Sequence, residues 1–413
     1  MTGTATTQPP PPPAPADQPA AAAGRGRQVR DTVVLTALSV LLALIVGAVL
    51  IIVADSDVQD AASYFFSAPG DTLRAAWDAV SSAYVALFQG AIVDPTASTA
   101  TALFRPFTES LVFAIPLIAA GMSVGLAFRA GLFNIGAEGQ IILGAIGAAW
   151  VGFALDLPPV VHVVLALLGG VVCGAVWGGI PGFLKARTGA HEVITTIMLN
   201  YIARFLVLYL LSTTAFQRPG RTDPISPQVD DNAELPLLLG DWSRLHAGLL
   251  VVLATAAGVW WLLNRSTVGF KLRAVGANPW ASRTAGIRTG MTTFVAMAIA
   301  GGLAGLAGAF QILGTEKSLT GGVSAGIGFD AITVALLGRG NPVGIVLAGI
   351  LFGALRAGGV TMQARTGTPI DIVLVVQSLI VLFIAAPPLV RAIFRIRTPG
   401  AGGTLQVSKG WNA

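Results

Sequence analysis

Runs of apolar residues, most of them long enough to cross a lipid bilayer as a helix, recur along nearly the whole of this 413-residue chain. About 20 such residues span the hydrocarbon core, where only helices and closed barrels satisfy every backbone polar group. The predicted spans cover residues 32–53, 107–128, 137–155, 160–180, 193–212, 246–263, 291–313, 330–338, 343–357 and 370–390. We therefore predict an all-α, polytopic membrane protein with about ten transmembrane helices. The eighth and ninth spans are short, so one of them is predicted to be a half-helix or a re-entrant segment.

Charged residues are scarce in this chain and unevenly distributed. Hydrophobic residues make up 54% of it and charged residues 11%, a balance typical of packed membrane helices and unlike that of a soluble domain. The net charge of +5 comes mostly from basic residues in short loops on one side of the predicted bundle. Such loops face the cytoplasm, so both termini are predicted to be cytoplasmic. The basic residues are explained by this topology, so we expect membrane lipid and no nucleic acid as a partner.

The chain divides into a membrane domain and two tails. Residues 1–30 are rich in proline and alanine and predict a disordered cytoplasmic tail, residues 31–395 contain the spans, and residues 396–413 form a second cytoplasmic tail. Within the membrane domain, residues 55–106 mix acidic and aromatic side chains, which is typical of helices lying in the outer membrane interface. A platform for substrate delivery and plain interface packing both remain open for this region.

The segment from Asn264 to Gly290 carries five basic residues and no acidic one between two apolar runs. Inside it, Asn278 is suited to cap a helix N-terminus, Pro279 to occupy the first helical position, and Gly286 to end the helix in a left-handed conformation. A short helix over residues 279–285 is therefore predicted outside the bilayer. Two turns of helix are not stable alone in water, so this helix must dock onto something.

Two stretches predict polar breaks within the membrane. The sequence FRAGLFNIGAEGQ, residues 128–140, combines small residues that let the backbone unwind with Asn134, Glu138 and Gln140 as hydrogen-bonding groups. A broken helix that meets a polar solute is one interpretation. A tight turn is the other, and it leaves the amides and the carboxylate unexplained. Residues 319–342 repeat the pattern, with glycines before Asp330, so related halves of the chain would bring breaks 134–138 and 324–330 together.

Ionisable side chains inside a span are costly, and each is a candidate for function. Arg204 lies in the middle of the fifth span near Asn200, whereas Glu192 and Asp371 stand at span ends. Either Arg204 pairs with an acid to fix helix packing, or it takes part in transport. The scatter of the acids over span ends argues against a proton-coupled pump.

The sequence contains no catalytic or nucleotide-binding arrangement at usable spacing. We find no nucleophile with a base and an orienting group, no cluster of metal ligands and no GxxxxGK[ST] phosphate loop. We therefore expect no enzyme activity and no cofactor on this chain, and any ATP that drives it must bind a separate chain. The glycine-rich run 301–310 is assigned to structure, because pairs such as Gly301 with Gly305 and Ala304 with Gly308 favour close helix packing.

Three motifs carry a family resemblance. FRAGLFNIGAEGQ at 128–140, EVITTIMLNYIA at 192–203 and LRAVGANPWASRTAGI at 272–287 resemble the permease subunits of bacterial ABC importers for simple sugars, branched-chain amino acids and nucleosides. The resemblance covers about residues 32–390 and is strongest to the nucleoside (guanosine/uridine-type) permeases. It implies a multi-pass protein of the bacterial cytoplasmic membrane. It also implies three partners: a second related permease, an ATPase with two nucleotide-binding domains that binds ATP and Mg²⁺, and a lipid-anchored substrate-binding protein.

The resemblance also implies roles for individual residues. The loop 281–287 would be a coupling helix inserted into a cleft of the ATPase. The candidate coupling residues are Asn278, Pro279, Ala281, Arg283, Gly286 and Ile287. The candidate substrate-pathway residues are Phe133, Asn134, Glu138, Gln140, Asn200 and Asp330, with Phe133 expected to stack on a base. Ribose-like sugars or branched-chain amino acids remain alternative cargoes, and an ion-coupled secondary transporter remains an alternative class.

Overall fold

The computed structural model describes residues 19–395, which form fifteen α-helices and one two-stranded sheet. The helices are α1 (Pro19–Ala54), α2 (Ser56–Ser63), α3 (Pro69–Ala91), α4 (Ala100–Arg129), α5 (Ala137–Ala154), α6 (Pro159–Thr188), α7 (Glu192–Leu211), α8 (Gly248–Arg265), α9 (Thr267–Ala277), α10 (Pro279–Thr284), α11 (Thr289–Phe310), α12 (Ile327–Leu337), α13 (Pro342–Thr366), α14 (Asp371–Ala385) and α15 (Pro387–Ile393). The strands β1 (Ile225–Gln228) and β2 (Ser318–Thr320) pair antiparallel. The all-α prediction misses this sheet, because strands of four and three residues leave no periodic signal in the sequence.

Eight helices in the described residues are long and apolar enough to cross a membrane: α1 from Val34 onward, α4, α5, α6, α7, α8, α11 with its extension to Glu316, and α13. The shorter apolar helices α12 and α14 coincide with the eighth and tenth predicted spans. The predicted half-helix is therefore α12. The ninth span is longer than predicted, since α13 continues beyond residue 357 through glycine and polar residues to Thr366, where Gly367 at a φ of 71° ends it. The total of ten and the sides of the termini stay predictions.

The first helix begins earlier than expected. Helix α1 starts at Pro19, inside the segment that the sequence predicts to be disordered up to residue 30. Proline suits the first position of a helix, and the four alanines that follow it are the best helix formers, so this start is favourable. Residues 1–18 and 396–413, which include the rest of both predicted tails, lie outside the described residues.

The region predicted to hold interfacial helices, 55–106, forms α2, α3 and the first turns of α4. The side chain of Asp55 caps α2 by accepting a hydrogen bond from the backbone N–H of Val58 at 3.0 Å. The Tyr84 hydroxyl of α3 donates to the backbone carbonyl of Leu44, which holds α3 against α1. Trp77 on α3 is largely exposed, and the position of these helices in a membrane interface stays a prediction.

The bundle is built around α4 and packed tightly by glycines. Every residue of α4 from Ala114 to Ala127 is buried. A Cβ added at Gly178 of α6 would lie 2.7 Å from the Cα of Gly301 of α11, closer than real Cβ contacts come. At Gly308, farther along α11, an added Cβ would lie 2.7 Å from the backbone nitrogen of Ala145 in α5. The predicted packing role of the 301–310 glycines is confirmed, since any side chain here would push the helices apart.

The loop between α7 and α8 folds over the end of α11. Its strand β1 pairs with β2, with Ile225 opposite Thr320. Glu234 in this loop forms an ion pair with Lys317, the residue directly before β2. The loop therefore holds the segment that connects α11 to α12.

Candidate functional site

The first predicted break is a non-helical segment, residues 132–136, between α4 and α5. It turns back along α4, because the side-chain amide of Asn134 donates to the hydroxyl of Ser123 at 3.1 Å. Ser123 lies six residues before Arg129, the end of α4, which corresponds to about 9 Å of helix rise. The connection is thus a re-entrant segment rather than a tight turn alone.

Three of the predicted pathway residues brace this segment with their side-chain amides. The buried amides of Asn134 and Gln140 bond to each other through two hydrogen bonds of 2.9 and 3.0 Å. The amide of Asn200, on α7, donates to the carbonyl of Ile135 and accepts from the N–H of Gly139, both at 2.9 Å. The structure therefore brings these amides together, but it uses them to satisfy the broken backbone, as buried polar groups require.

The second break lies between α11 and α12. The π-helical turn Gln311–Glu316 extends α11, and the chain then passes through left-handed conformations, including Ala325 at φ 44°. Arg356 of α13 donates to the carbonyl of Ala325 at 2.9 Å and pairs with the carboxylate of Asp330 at 3.2 Å. Left-handed backbone is unfavourable for alanine, so the bond from Arg356 helps to hold the break. The sequence analysis missed Arg356, although a lone arginine in the ninth apolar run is the signal that could have found it.

The two breaks meet at the N-termini of α5 and α12. The carboxylate of Glu138 accepts a hydrogen bond from the backbone N–H of Gly328 at 2.8 Å. A carboxylate at a helix N-terminus is favoured, because the first N–H groups of a helix have no partners within it. The expected approach of the breaks is confirmed, whereas the repeat relating the two halves stays a prediction. Glu138 and Asp330 are both partly exposed, and Phe329 beside them is 52% exposed.

The remaining pathway candidate, Phe133, is engaged with α4. Its ring lies 4.9 Å from that of Phe128, centroid to centroid, at an interplanar angle of 54°, and the residue is half-buried. Among the side chains described at the meeting point of the breaks, the exposed aromatic ring is that of Phe329.

The predicted two-turn helix in the basic segment is present as α10. The side chain of Asn278 accepts from the N–H of Ala281 at 3.0 Å, and Pro279 is the first helical residue. The helix ends at Gly286, which has a φ of 82°. The N–H of Gly286 bonds to the carbonyl of Arg283, and that of Ile287 to the carbonyl of Ser282, both at 3.0 Å. These two bonds form a Schellman motif, so the predicted start and stop are both confirmed.

Helix α10 projects from the bundle. Ser282 is its only buried residue, whereas Ala281 and Arg283 are exposed and Trp280 is 76% exposed. A large exposed aromatic side chain next to an exposed arginine is typical of a protein–protein contact, in which such residues supply much of the binding energy. The arrangement can therefore serve as a docking helix.

The basic segment contacts the turn that leads into the first break. A Cβ added at Gly131 would lie 2.9 Å from the Cα of Gly276, near the end of α9. Arg129, two residues before Gly131, donates from its Nε to the carbonyl of Gly340 at 3.0 Å, just after α12. Because Gly131 leads directly into the re-entrant segment, a movement of α9 would be transmitted to the first break, and the bond from Arg129 joins the same turn to the loop after α12.

Charged residues gather at the opposite end of α4. Glu109 forms an ion pair with Arg244, which precedes α8, and this bond raises the pKa of the arginine. Asp94 pairs with Arg365 at 2.5 Å, and hydrogen bonds from Thr96 and then from Arg365 lower the pKa of that carboxyl. Asp94, Glu109 and Arg244 line a groove of about 320 Å³. These charged side chains make the groove polar.

Comparison with known proteins places these features in context. A family model described as branched-chain amino acid transport system / permease component matches residues 107–385. No solved structure matches the chain.

Three curated relatives match most of the chain. The guanosine ABC transporter permease protein NupP of Bacillus subtilis is 43% identical over 288 residues, 69% of this chain and 83% of the relative. The glucose ABC transporter permease protein TsgB13 of Haloferax volcanii is 37% identical, covering 67% and 75% of the two chains. The nucleoside ABC transporter permease protein NupB of Lactococcus lactis is 36% identical, covering 72% and 82%. Two of these organisms have a second, less similar relative: the permease protein NupQ of Bacillus subtilis is 26% identical to this chain, and NupC of Lactococcus lactis is 27% identical.

Proposed function

The chain belongs to the family of permease components of branched-chain amino acid transport systems, and from this premise we propose that it carries nucleosides. It is the permease subunit of an ABC importer and a multi-pass protein of the bacterial cytoplasmic membrane. The observation that supports a nucleoside cargo is the similarity to a guanosine permease and a nucleoside permease at 43% and 36% identity. The glucose permease at 37% identity makes a sugar the second candidate, and both solutes present ring hydroxyls.

The solute is proposed to bind where the two breaks meet. Glu138 and Asp330 are partly exposed there, and carboxylates accept hydrogen bonds from ribose hydroxyls. Phe329, the exposed residue directly before Asp330, offers a ring face on which a base can stack. The predicted residues Asn134, Gln140 and Asn200 then act as positioning residues, because their amides hold the broken backbone.

ATP hydrolysis is proposed to act on this site through α10. In this assignment a separate ATPase with two nucleotide-binding domains holds ATP and Mg²⁺, and α10 enters a cleft of it on the cytoplasmic side. The exposed Trp280 and Arg283, and the basic residues around them, support such a contact. Movement of α10 and α9 would pass through the contact between Gly276 and Gly131 into the re-entrant segment. The site would thereby alternate between outward-open and inward-open states.

Two further partners follow from the same assignment. The occurrence of two related permeases in each of two bacteria supports a second permease beside this one. That subunit would cover the site, since Phe329 is exposed and Glu138 and Asp330 are partly exposed on this chain alone. A lipid-anchored binding protein would deliver the nucleoside to the groove near Arg244, which this assignment places on the outer side as the entrance.

Uptake by cells that lack their own nucleoside transport tests this proposal. The chain is co-expressed with the partner genes, and labelled guanosine and uridine are compared with glucose, ribose and leucine. We expect saturable nucleoside uptake that a Walker-lysine substitution in the ATPase abolishes. Uptake of glucose or ribose alone would favour the sugar alternative. Uptake that survives the ATPase substitution and stops with an uncoupler would contradict the ABC mechanism in favour of ion coupling.

A further inference from the structure

Arg204 is an exposed charge in the middle of an apolar helix. It lies twelve residues after the start of α7 and seven before its end. Its guanidinium forms no ion pair or hydrogen bond with any other residue that the structure describes. None of the acids expected as its partner pairs with it among the described residues, and two of them bind other basic residues: Glu192 binds Lys185 at 2.6 Å and Asp330 binds Arg356. Pairing within the described chain therefore does not explain this arginine.

Lipid does not provide a suitable environment for this group either. A charge at mid-depth in the hydrocarbon is unfavourable unless it reaches water, a polar group or the interface. Side chains on a helix lean toward its N-terminus, so Arg204 leans toward Asn200 and away from Leu211, the nearer end of α7. An arginine on this flank of α7 is suited to water, a polar ligand or a polar group of a partner subunit.

The neighbours of Arg204 on this flank locate it beside the two breaks. Asn200, one helical turn before it, bonds to Gly139 and Ile135 at the first break. Leu208, one turn after it, lies against the second break, since a Cβ added at Gly321 would fall 2.6 Å from its side chain. Arg204 therefore lies between the points at which α7 contacts the two breaks.

We propose that Arg204 is a solute-binding residue that selects the base of the nucleoside, and this inference rests on the proposed function above. The charge of Asp330 is balanced by Arg356, whereas Glu138 has no basic partner among the described side chains. In this proposal Arg204 adds a second basic group to Arg356, and two acids with two bases suit an uncharged solute.

The chemistry of the guanidinium identifies the class of base. Arginine donates two parallel hydrogen bonds and pairs best with two adjacent acceptors, as O6 and N7 of a 6-oxopurine provide. Adenine presents N7 beside an amino donor, which repels a guanidinium hydrogen. The preferred solute is therefore a 6-oxopurine nucleoside, with its ribose toward the carboxylates of Glu138 and Asp330.

The test measures transport by the complete complex in proteoliposomes, with guanosine, inosine, adenosine and 7-deazaguanosine as probes. Arg204→Gln is expected to raise KM for guanosine and inosine about tenfold and KM for adenosine less than twofold. The wild type is expected to handle 7-deazaguanosine about tenfold less well than guanosine, and Arg204→Gln is expected to lose that difference. Arg204→Lys should restore little of the preference, because an ammonium is not bidentate. Phe205→Leu, an exposed neighbour, is the matched control and should leave all four KM values unchanged.

Three outcomes overturn the proposal. Equal changes in KM for all four nucleosides would assign Arg204 to general charge balance. Loss of the second permease from the purified Arg204→Gln complex would assign it to the subunit interface. A wild-type complex that transports none of the nucleosides contradicts the proposed cargo itself, whereas the first two results leave that cargo intact.

Discussion

The carboxylate of Glu138, in the first turn of α5, accepts a hydrogen bond at 2.8 Å from the backbone N–H of Gly328, in the first turn of α12. The two residues are 190 positions apart in the chain. The bond joins two helices at ends where backbone N–H groups need partners. The bond thus links the two broken segments directly, and the proposed solute site depends on this link.

Removal of the Glu138 side chain should impair transport more than removal of its charge. Glu138→Gln keeps an oxygen that can accept from Gly328, whereas Glu138→Ala leaves that N–H unpaired and removes a solute contact. We expect uptake to fall at least tenfold in Glu138→Ala and less in Glu138→Gln. Initial rates of nucleoside uptake measure this, normalised to protein in the membrane. Normal uptake by Glu138→Ala would remove this carboxylate from the site.

Gly328→Ala should disrupt the same link through its volume. An added Cβ would overlap the backbone of Glu138, so α12 would have to move. We expect a loss of uptake of about tenfold or more, with assembly into the complex retained. Gly322→Ala is the matched control, because its Cβ would meet nothing within 4 Å. Equal activity of the two variants would mean that the contact is not needed for transport.

Coupling to ATP should fail when α10 is altered. Gly286→Ala places a side chain at a φ of 82°, and Arg283→Ala removes an exposed contact. Both variants should insert normally but hydrolyse ATP without substrate transport. Gly189→Ala is the control, since Gly189 has a φ of 72° at the end of α6 and equally open surroundings. The ratio of nucleoside transported to ATP hydrolysed is the measurement, and an unchanged ratio in Gly286→Ala would contradict the coupling role.

The contact between Gly276 and Gly131 should transmit that coupling. A Cβ at Gly276 would lie 2.8 Å from the backbone nitrogen of Gly131, so Gly276→Ala should separate α9 from the re-entrant segment. We expect co-purification with the ATPase to be retained and transport per ATP to fall about tenfold. Gly258→Ala, on an open face of α8, should behave as the wild type. A fully coupled Gly276→Ala complex would show that the signal takes another route.

The buried residue His246 should make stability depend on pH. Burial lowers its pKa from 6.5 to about 4, while its Nδ1 accepts from the N–H of Gly248 at 3.2 Å. A depressed pKa means that the folded state favours neutral histidine. The contribution of neutral His246 to the free energy of unfolding is therefore complete above pH 6.5. It is lost as the pH falls toward 4, by at most on the order of 3 kcal/mol. Thermal denaturation in detergent should show a steeper decline between pH 7 and 5 for the wild type than for His246→Gln. Parallel profiles would argue against this effect.

Local signals explain what the sequence predicts well. Helix α10 could be predicted almost residue by residue, because a capping asparagine, a proline at the first position and a terminal glycine act within a few residues of one another. The spans were recognisable for the same reason, since each is a contiguous apolar run. Their ends were less predictable, as in α13, where glycine and polar residues after residue 357 continue the helix to Thr366.

Contacts between distant residues explain what the sequence does not predict. Asn134 and Gln140 could be recognised as polar groups at membrane depth, but not as partners of each other. The bond from Arg356 to Ala325 and the approach of Gly276 to Gly131 join separate helices, so no local pattern reveals them. Proposed solute contacts and bracing residues are the same types of side chain, and only their positions in the fold distinguish them.

The glycine contacts between α6 and α11 have a consequence for how this lineage can evolve. At Gly178 and Gly301 even a methyl group would meet the backbone of the facing helix, and backbone cannot rotate aside as a side chain can. Substitutions at these two positions are therefore expected to disrupt the packing, and both glycines should be retained together. Val172 and Val176, on the outward side of α6, can exchange among apolar residues at little cost. Homologous transporters should diverge fastest on that outward face while the spacing of the two helices stays the same.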